Sequence, residues 1–263
     1  MRRRGAAGRL GAMLLALALG SGCGEQSTRP LVNFHATGTA SGEIGLQGET
    51  TLRCVSTKGQ VTVEGEGLDF VRWYIYRYAA APTQERANAA LAGIVPEFRS
   101  VGDTLEFDVA TPPSGGVYYY GAVTLGIPSW MSCVIAGATA PVRVSDLSGD
   151  LTVTGRDSVT VARHTGSCDV SLTKGGLSLE VAVPESGVCI GKTDDGSIRL
   201  RLPAGSSARL VAHTAAGTVT VTGLALADRV DSTGFVSGKL GSGTAVVLLE
   251  TRKGNIQVIG LAP

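Results

Sequence analysis

The chain of 263 residues carries 23 Lys and Arg against 22 Asp and Glu, with 37 Gly and 5% aromatic residues. A balance this close to neutral leaves no electrostatic footprint for nucleic acid. The many Gly, Val and Thr point to an all-β chain with frequent turns.

At the N-terminus, Arg2, Arg3, Arg4 and Arg9 precede a short apolar run from Ala12 to Leu19. This is the charge and length pattern of a secretory signal, and the run falls short of the roughly 20 apolar residues a transmembrane helix needs. Gly20, Ser21 and Gly22 then lead into Cys23, and this stretch resembles a bacterial lipobox. The resemblance implies cleavage before Cys23 and a lipid on its sulfur, although the usual Leu three residues ahead is Gly20 here, with Leu19 one place early. Residues 1–22 are then the signal peptide, 23–36 a tether and 37–263 the folded domain. Gly24, in place of Asp, implies outer-membrane sorting by the same resemblance.

Four further cysteines, Cys54, Cys133, Cys168 and Cys189, form an even set without a CxxC pair. In an exported chain this argues for two disulfides.

Along the chain, "STKGQVTVEG" from Ser56 reads as a corner followed by a strand. Thr83 is an expected N-cap for a short helix over 83–93, which would cover one end of the fold. "LSGDLTVTG" from Leu147 repeats the corner-strand grammar, which becomes regular at Gly175, Gly196 and Gly217, spaced 196 − 175 = 21 and 217 − 196 = 21. A fixed period of this size signals a solenoid. After each glycine, aliphatics alternate with polar residues: Leu177 and Leu179, Ile198 and Leu200, Val219 and Val221, and then Ile256 and Val258 after Gly254. Each segment is a strand with one dry face. The glycine suits a turn that a Cβ would oppose. The expected fold is a single-domain parallel β-helix, or β-solenoid, with an antiparallel β-sandwich as the alternative. The interval from Gly217 to Gly254 is 37, so about sixteen extra residues form an inserted hairpin or a longer coil.

Cys168, Cys189 and Leu210 each lie seven residues before a corner glycine and fall in one column. Stacked coils sit about 4.8 Å apart, within disulfide reach, so Cys168 is expected to bond Cys189. Cys133 is left with Cys54 or, if it continues the same column, with Cys168.

Chemical motifs are sparse. His35, His164 and His213 stand alone, without HxH, HExxH or carboxylates at ligand spacing, and no GxSxG elbow is present. The outward positions Ser178, Glu180, Arg199, Arg201, Thr220 and Thr222 hold no repeated carboxylate pair of the kind a glycosidase uses. Glu180 and Arg201, one coil apart, read as a stacked surface ion pair. Asp169, Asp194 and Asp195 could approach calcium, but the nonapeptide binding signature is absent. No catalytic residue, metal or cofactor is expected.

The stretches "DGSIRLRLPAGSSARLVAHTAAGTVTVTGL" (from Asp195) and "GKLGSGTAVVLLETRKGNIQV" (from Gly238), with "GQVTVEG", "TQERANAALAGI" and "GDTLEFDV" earlier, resemble DUF4097, a family of bacterial exported proteins carrying an adhesin label. The resemblance covers roughly residues 40 to 260 and implies a parallel β-helix held at a membrane. The aromatic segment "VRWYIYRYAA" from Val71 departs from it. It implies a non-catalytic, adhesin-like envelope protein, held at the membrane by its N-terminal lipid, that binds a surface glycan or protein. Two other roles remain open: a periplasmic structural or signalling partner, and a polysaccharide-active enzyme.

Overall fold

In the computed structural model, the described residues are 34–55, 58–111 and 116–261. The signal peptide, Cys23 and the first part of the tether lie outside them. In chain order the elements are β1 (Phe34–Gly45), β2 (Thr51–Val55), β3 (Val61–Glu66), β4 (Phe70–Ala81), α1 (Gln84–Ala92), β5 (Val95–Val101), β6 (Thr104–Ala110) and β7 (Tyr118–Pro128). There follow β8 (Ser132–Ala138), β9 (Val142–Ser145), β10 (Leu151–Gly155), β11 (Val159–His164), β12 (Cys168–Leu172), β13 (Leu177–Val181), β14 (Val188–Asp195) and β15 (Ile198–Pro203). The last are β16 (Ala208–Ala216), β17 (Val219–Thr222), β18 (Ala227–Ser232), β19 (Phe235–Leu240), β20 (Ala245–Lys253) and β21 (Ile256–Leu261).

These strands form two mixed sheets, and neither closes into a barrel. The first runs β1-β4-β7-β3-β9-β11-β13-β15-β21-β17, the second β18-β19-β16-β20-β14-β12-β10-β8-β2-β6-β5. From β8 to β17, and again in β20 and β21, the chain alternates between the sheets. Each of these strands lies parallel to its neighbours in that set. Antiparallel pairing is confined to the flanks: β1-β4-β7, β5-β6 and β16-β19-β18.

The alternation read from the sequence is the reason. In β13, β15 and β21 every second residue is aliphatic, and Leu179, Leu200 and Val258 are at most 1% exposed. They join Val153, Val170 and Leu249 from the other sheet in one continuous core. Each such side chain contributes about 1.5–3 kcal/mol by leaving water, whereas one parallel pair of four or five residues would bury too little to persist alone.

The helix forms as expected. Thr83 is its N-cap, with its hydroxyl accepting from the Arg86 N–H at 3.3 Å. Ala87 packs against Ala36 of β1 and Ala81 of β4, so α1 covers that end of the core. Strand β1 begins at Phe34, three residues ahead of the expected domain start. The aromatic segment forms β4, antiparallel to both neighbours, which is why it departs from the repeat grammar. The extra residues after Gly217 form the β18–β19 hairpin.

The winding order departs from expectation. The strands after Gly196 and Gly217 are not neighbours, because β21 pairs with both β15 and β17, and β20 with both β14 and β16. The last-written winding is inserted between two earlier ones. The outer edges at this end are therefore β17 and β18, not the C-terminal strand. The sequence hides this because Leu210 and Val247 occupy the same column with the same polarity, and either fits beside Cys189.

Candidate functional site on the outer faces

The corners are structural. Thr193, Thr251 and Thr214, each three residues N-terminal to its corner glycine, are buried. Their hydroxyls donate to the carbonyls of Gly175 at 3.0 Å, Gly196 at 2.8 Å and Gly254 at 2.8 Å. Each threonine reaches the glycine of the adjacent winding in space. The glycines face the same crowding: a Cβ on Gly196 would sit 1.9 Å from the Gly175 carbonyl oxygen. Close approach of stacked backbones therefore forces glycine there, and at Gly196 no left-handed φ is involved.

The four cysteines are buried free thiols on β2, β8, β12 and β14. Cys168 and Cys189 are register partners on adjacent parallel strands. Their mutual hydrogen bond, then burial, raises the Cys168 pKa well above the ordinary thiol range. Cys133 lies two strands from Cys168, with Leu151 between them. Cys54 is opposite Ile135, and Cys133 opposite Leu52. That two-residue offset across neighbouring strands puts the Cα atoms about 8 Å apart, beyond ordinary disulfide reach. Burial pushes the Cys133 thiol up to about 12. The register therefore favours one pairing, and Cys23 lies outside the described residues.

The histidines stand apart. His164 is fully buried at the end of β11, with Nε2 donating to the Ser167 carbonyl at 2.9 Å, and Nδ1 has no partner. Burial lowers its pKa and keeps the ring neutral. His35 stacks on Tyr78 at 6.0 Å, and His213 is exposed on β16. Among the described residues no three His, Cys, Asp or Glu side chains converge as a metal site would require.

On the first sheet, the outward row through Ser178, Arg199, Gln257 and Thr220 is polar throughout. Arg199 donates to Gln257 at 2.9 Å, and Arg201 meets Glu180 at 3.7 Å as a solvent-exposed pair. Such exposed pairs contribute below about 1 kcal/mol.

The second sheet differs. Register places Val188 beside Val246, and Ile190 beside Leu248 and then Val211. All five point outward, opposite the buried Cys189, Val247 and Leu210. Val246 is 45% exposed and Val188 37%. On one side this aliphatic patch is bounded by the row Lys192, Glu250 and His213, in which Lys192 pairs with Glu250 at 2.8 Å. These residues, with Asp194 and Arg252, line a shallow cleft of about 290 Å³. On the other side Arg209, Lys239 and Asp228 border a second cleft of about 270 Å³. An apolar centre with a mixed-charge rim is the anatomy of a surface that takes up a partner. The sequence signal was the loss of alternation in "AVVLLE", where Val246 and Leu248 repeat the apolar character of Val247 and Leu249; reading only the dry face of each strand missed it.

No protein-family model matches the sequence, and no curated protein does. Among solved structures, a candidate cell adhesion protein from Clostridium sporogenes is similar, with a TM-score of 0.50 at 11% identity, over 86% of this chain and 100% of that one. Candidate adhesins from Bacteroides fragilis (TM-score 0.36, 10% identity, 85% and 97% covered) and Parabacteroides distasonis (0.33, 11%, 84% and 97%) also match. At such identity, the likeness to the Clostridium protein speaks for a common fold alone.

Proposed function

We propose that this is an exported, lipid-anchored envelope protein whose alternating parallel windings form a short β-solenoid carrying a non-catalytic, adhesin-like binding face. The observation that carries the reading is the aliphatic patch of Val188, Ile190, Val246, Leu248 and Val211 on the water-facing side of the second sheet. Its ligand is a protein surface rather than a glycan, because branched aliphatics without an aromatic platform match apolar side chains better than sugar rings. The secretory and lipobox-like N-terminus, the DUF4097 resemblance and the adhesion-related names of the similar structures support the same role.

The test is adhesion of beads coated with the soluble chain, beginning at Gly24, to a panel of bacterial and host cells. Leu248→Lys should lower adhesion at least tenfold while leaving the unfolding midpoint nearly unchanged, since the side chain already contacts water. Equal adhesion by both proteins would remove the patch from the account. Turnover of any polysaccharide in a parallel panel would contradict the non-catalytic reading.

A further inference from the structure

A second unusual surface lies at the opposite end of the first sheet, on β1, β4 and β7. Tyr74, Tyr76 and Tyr78 occupy alternate outward positions of β4, opposite the buried Ile75 and Ala79. Register sets Tyr78 beside Tyr120 and Ala80 beside Tyr118 on β7. The Tyr78 and Tyr120 rings stack at 5.1 Å, and Tyr118 meets both edge-on at 6.1 and 6.3 Å. Tyr118 remains 65% exposed and Tyr74 44%.

Two features define what this surface suits. The Tyr78 and Tyr120 rings turn their faces toward one another and Tyr118 meets both edge-on, so these three form a comb and not a flat open platform of the kind that seats a sugar ring. The outward positions around it are also uncharged: His35, Thr37, Thr39 and Ser41 on β1, with Ala122 and Thr124 on β7. The outward charges nearest it, Glu43, Arg72 and Glu64, share one row that begins one outward position beyond Tyr74, away from the end where Tyr78, Tyr118 and Tyr120 gather. A neutral surface of rings with polar tips matches the headgroup layer of a bilayer, where tyrosine concentrates in membrane proteins.

The chain's own connectivity supplies the partner. Cys23 precedes Phe34, the first residue of β1, by 34 − 23 = 11 positions. At 3.3–3.6 Å per residue that contour spans at most about 40 Å. Phe34 and His35 begin β1 at the end where Tyr78, Tyr118 and Tyr120 gather. A lipid on Cys23 would hold the comb within reach of the bilayer at high effective concentration, so weak intrinsic affinity suffices.

We propose that the tyrosine comb of β4 and β7 rests in the neutral headgroup layer of the membrane that holds the N-terminal lipid, leaving the aliphatic patch at the other end of the sheets free for its partner. The proposal rests on the lipid-anchor reading, and its test separates the two. The chain beginning at Cys23 is coupled through that thiol to a maleimide-bearing phosphatidylethanolamine in phosphatidylcholine vesicles, then compared with the free chain by hydroxyl-radical footprinting. Tyr74 and Tyr118 should be labelled at least threefold less on the vesicle, while Trp130, past the other end of β7, is unchanged. Equal labelling of Tyr74 and Tyr118 in the two samples would overturn the proposal. Protection of all three would also overturn it, since the comb would then not be the contacting surface. The mass of the native chain reports acylation of Cys23 independently, so loss of the anchor reading is visible whatever the footprint shows.

Discussion

The Thr251 hydroxyl donates to the Gly196 carbonyl at 2.8 Å, joining residues 55 positions apart. The same bond recurs from Thr193 to Gly175 and from Thr214 to Gly254. One corner carbonyl thus accepts a buried threonine from the next winding and occupies the space a Cβ would need. The repeated Thr and Gly of the motif serve one contact.

Two substitutions separate these roles. Thr251→Val keeps the shape but leaves the Gly196 carbonyl without its hydroxyl partner, a cost of about 1–3 kcal/mol. Gly196→Ala forces a methyl into the Gly175 oxygen, and should cost more than Thr251→Val and at least the 1–3 kcal/mol typical of overpacking. Urea unfolding monitored by circular dichroism measures both. A Gly196→Ala protein as stable as the parent would rule out close stacking at the corner.

His164 sets an acid limit on stability. Burial lowers its folded pKa below the ordinary value of 6.5, so below that value the unfolded state binds the proton more readily than the folded one. Stability is therefore fully present above pH 6.5 and falls as the pH drops below it, by up to about 1.4 kcal/mol per pH unit. Comparing unfolding midpoints at neutral and mildly acidic pH for the parent and for His164→Gln checks this. The variant should lose part of the acid dependence, and an unchanged slope would contradict the assignment.

In an oxidising compartment the Cys168 and Cys189 thiols should join, because their strands are adjacent and in register. Closing a loop of this length stabilises by about 3 kcal/mol in the chain-entropy picture. Non-reducing peptide mapping should find this bond, with Cys54 and Cys133 retained as thiols, and reductant should lower the unfolding midpoint. A Cys54–Cys133 bond in the map would show that the register of β2 against β8 is wrong.

Much of the fold was legible in the sequence, and for identifiable reasons. Alternation after each corner glycine reports a strand with one dry face, Thr83 reports a helix start, and the 37-residue interval reports an insertion, because each is a local requirement. The position of β20 and β21 between earlier windings was not legible, since every winding offers its neighbours the same aliphatic column. The corner threonines were visible as a pattern, but their acceptors belong to other windings. The patch on the second sheet lies on the face where alternation calls for polar residues, and its mark in the sequence is Val246 and Leu248, which break that alternation.

The interleaved stack is tested most directly by disulfide trapping in a Cys168→Ala background, where Cys189 is free. The structure places Val247 between Cys189 and Leu210 in one column. With Leu210→Cys and Val247→Cys introduced together, mild oxidation should link those two positions or link position 247 to Cys189. With Leu210→Cys alone, no bond to Cys189 should form, because two strand spacings, about 9.6 Å, separate them. Efficient bonding of Cys189 to position 210 in the single variant would mean that the windings stack in sequence order, and would contradict the architecture described.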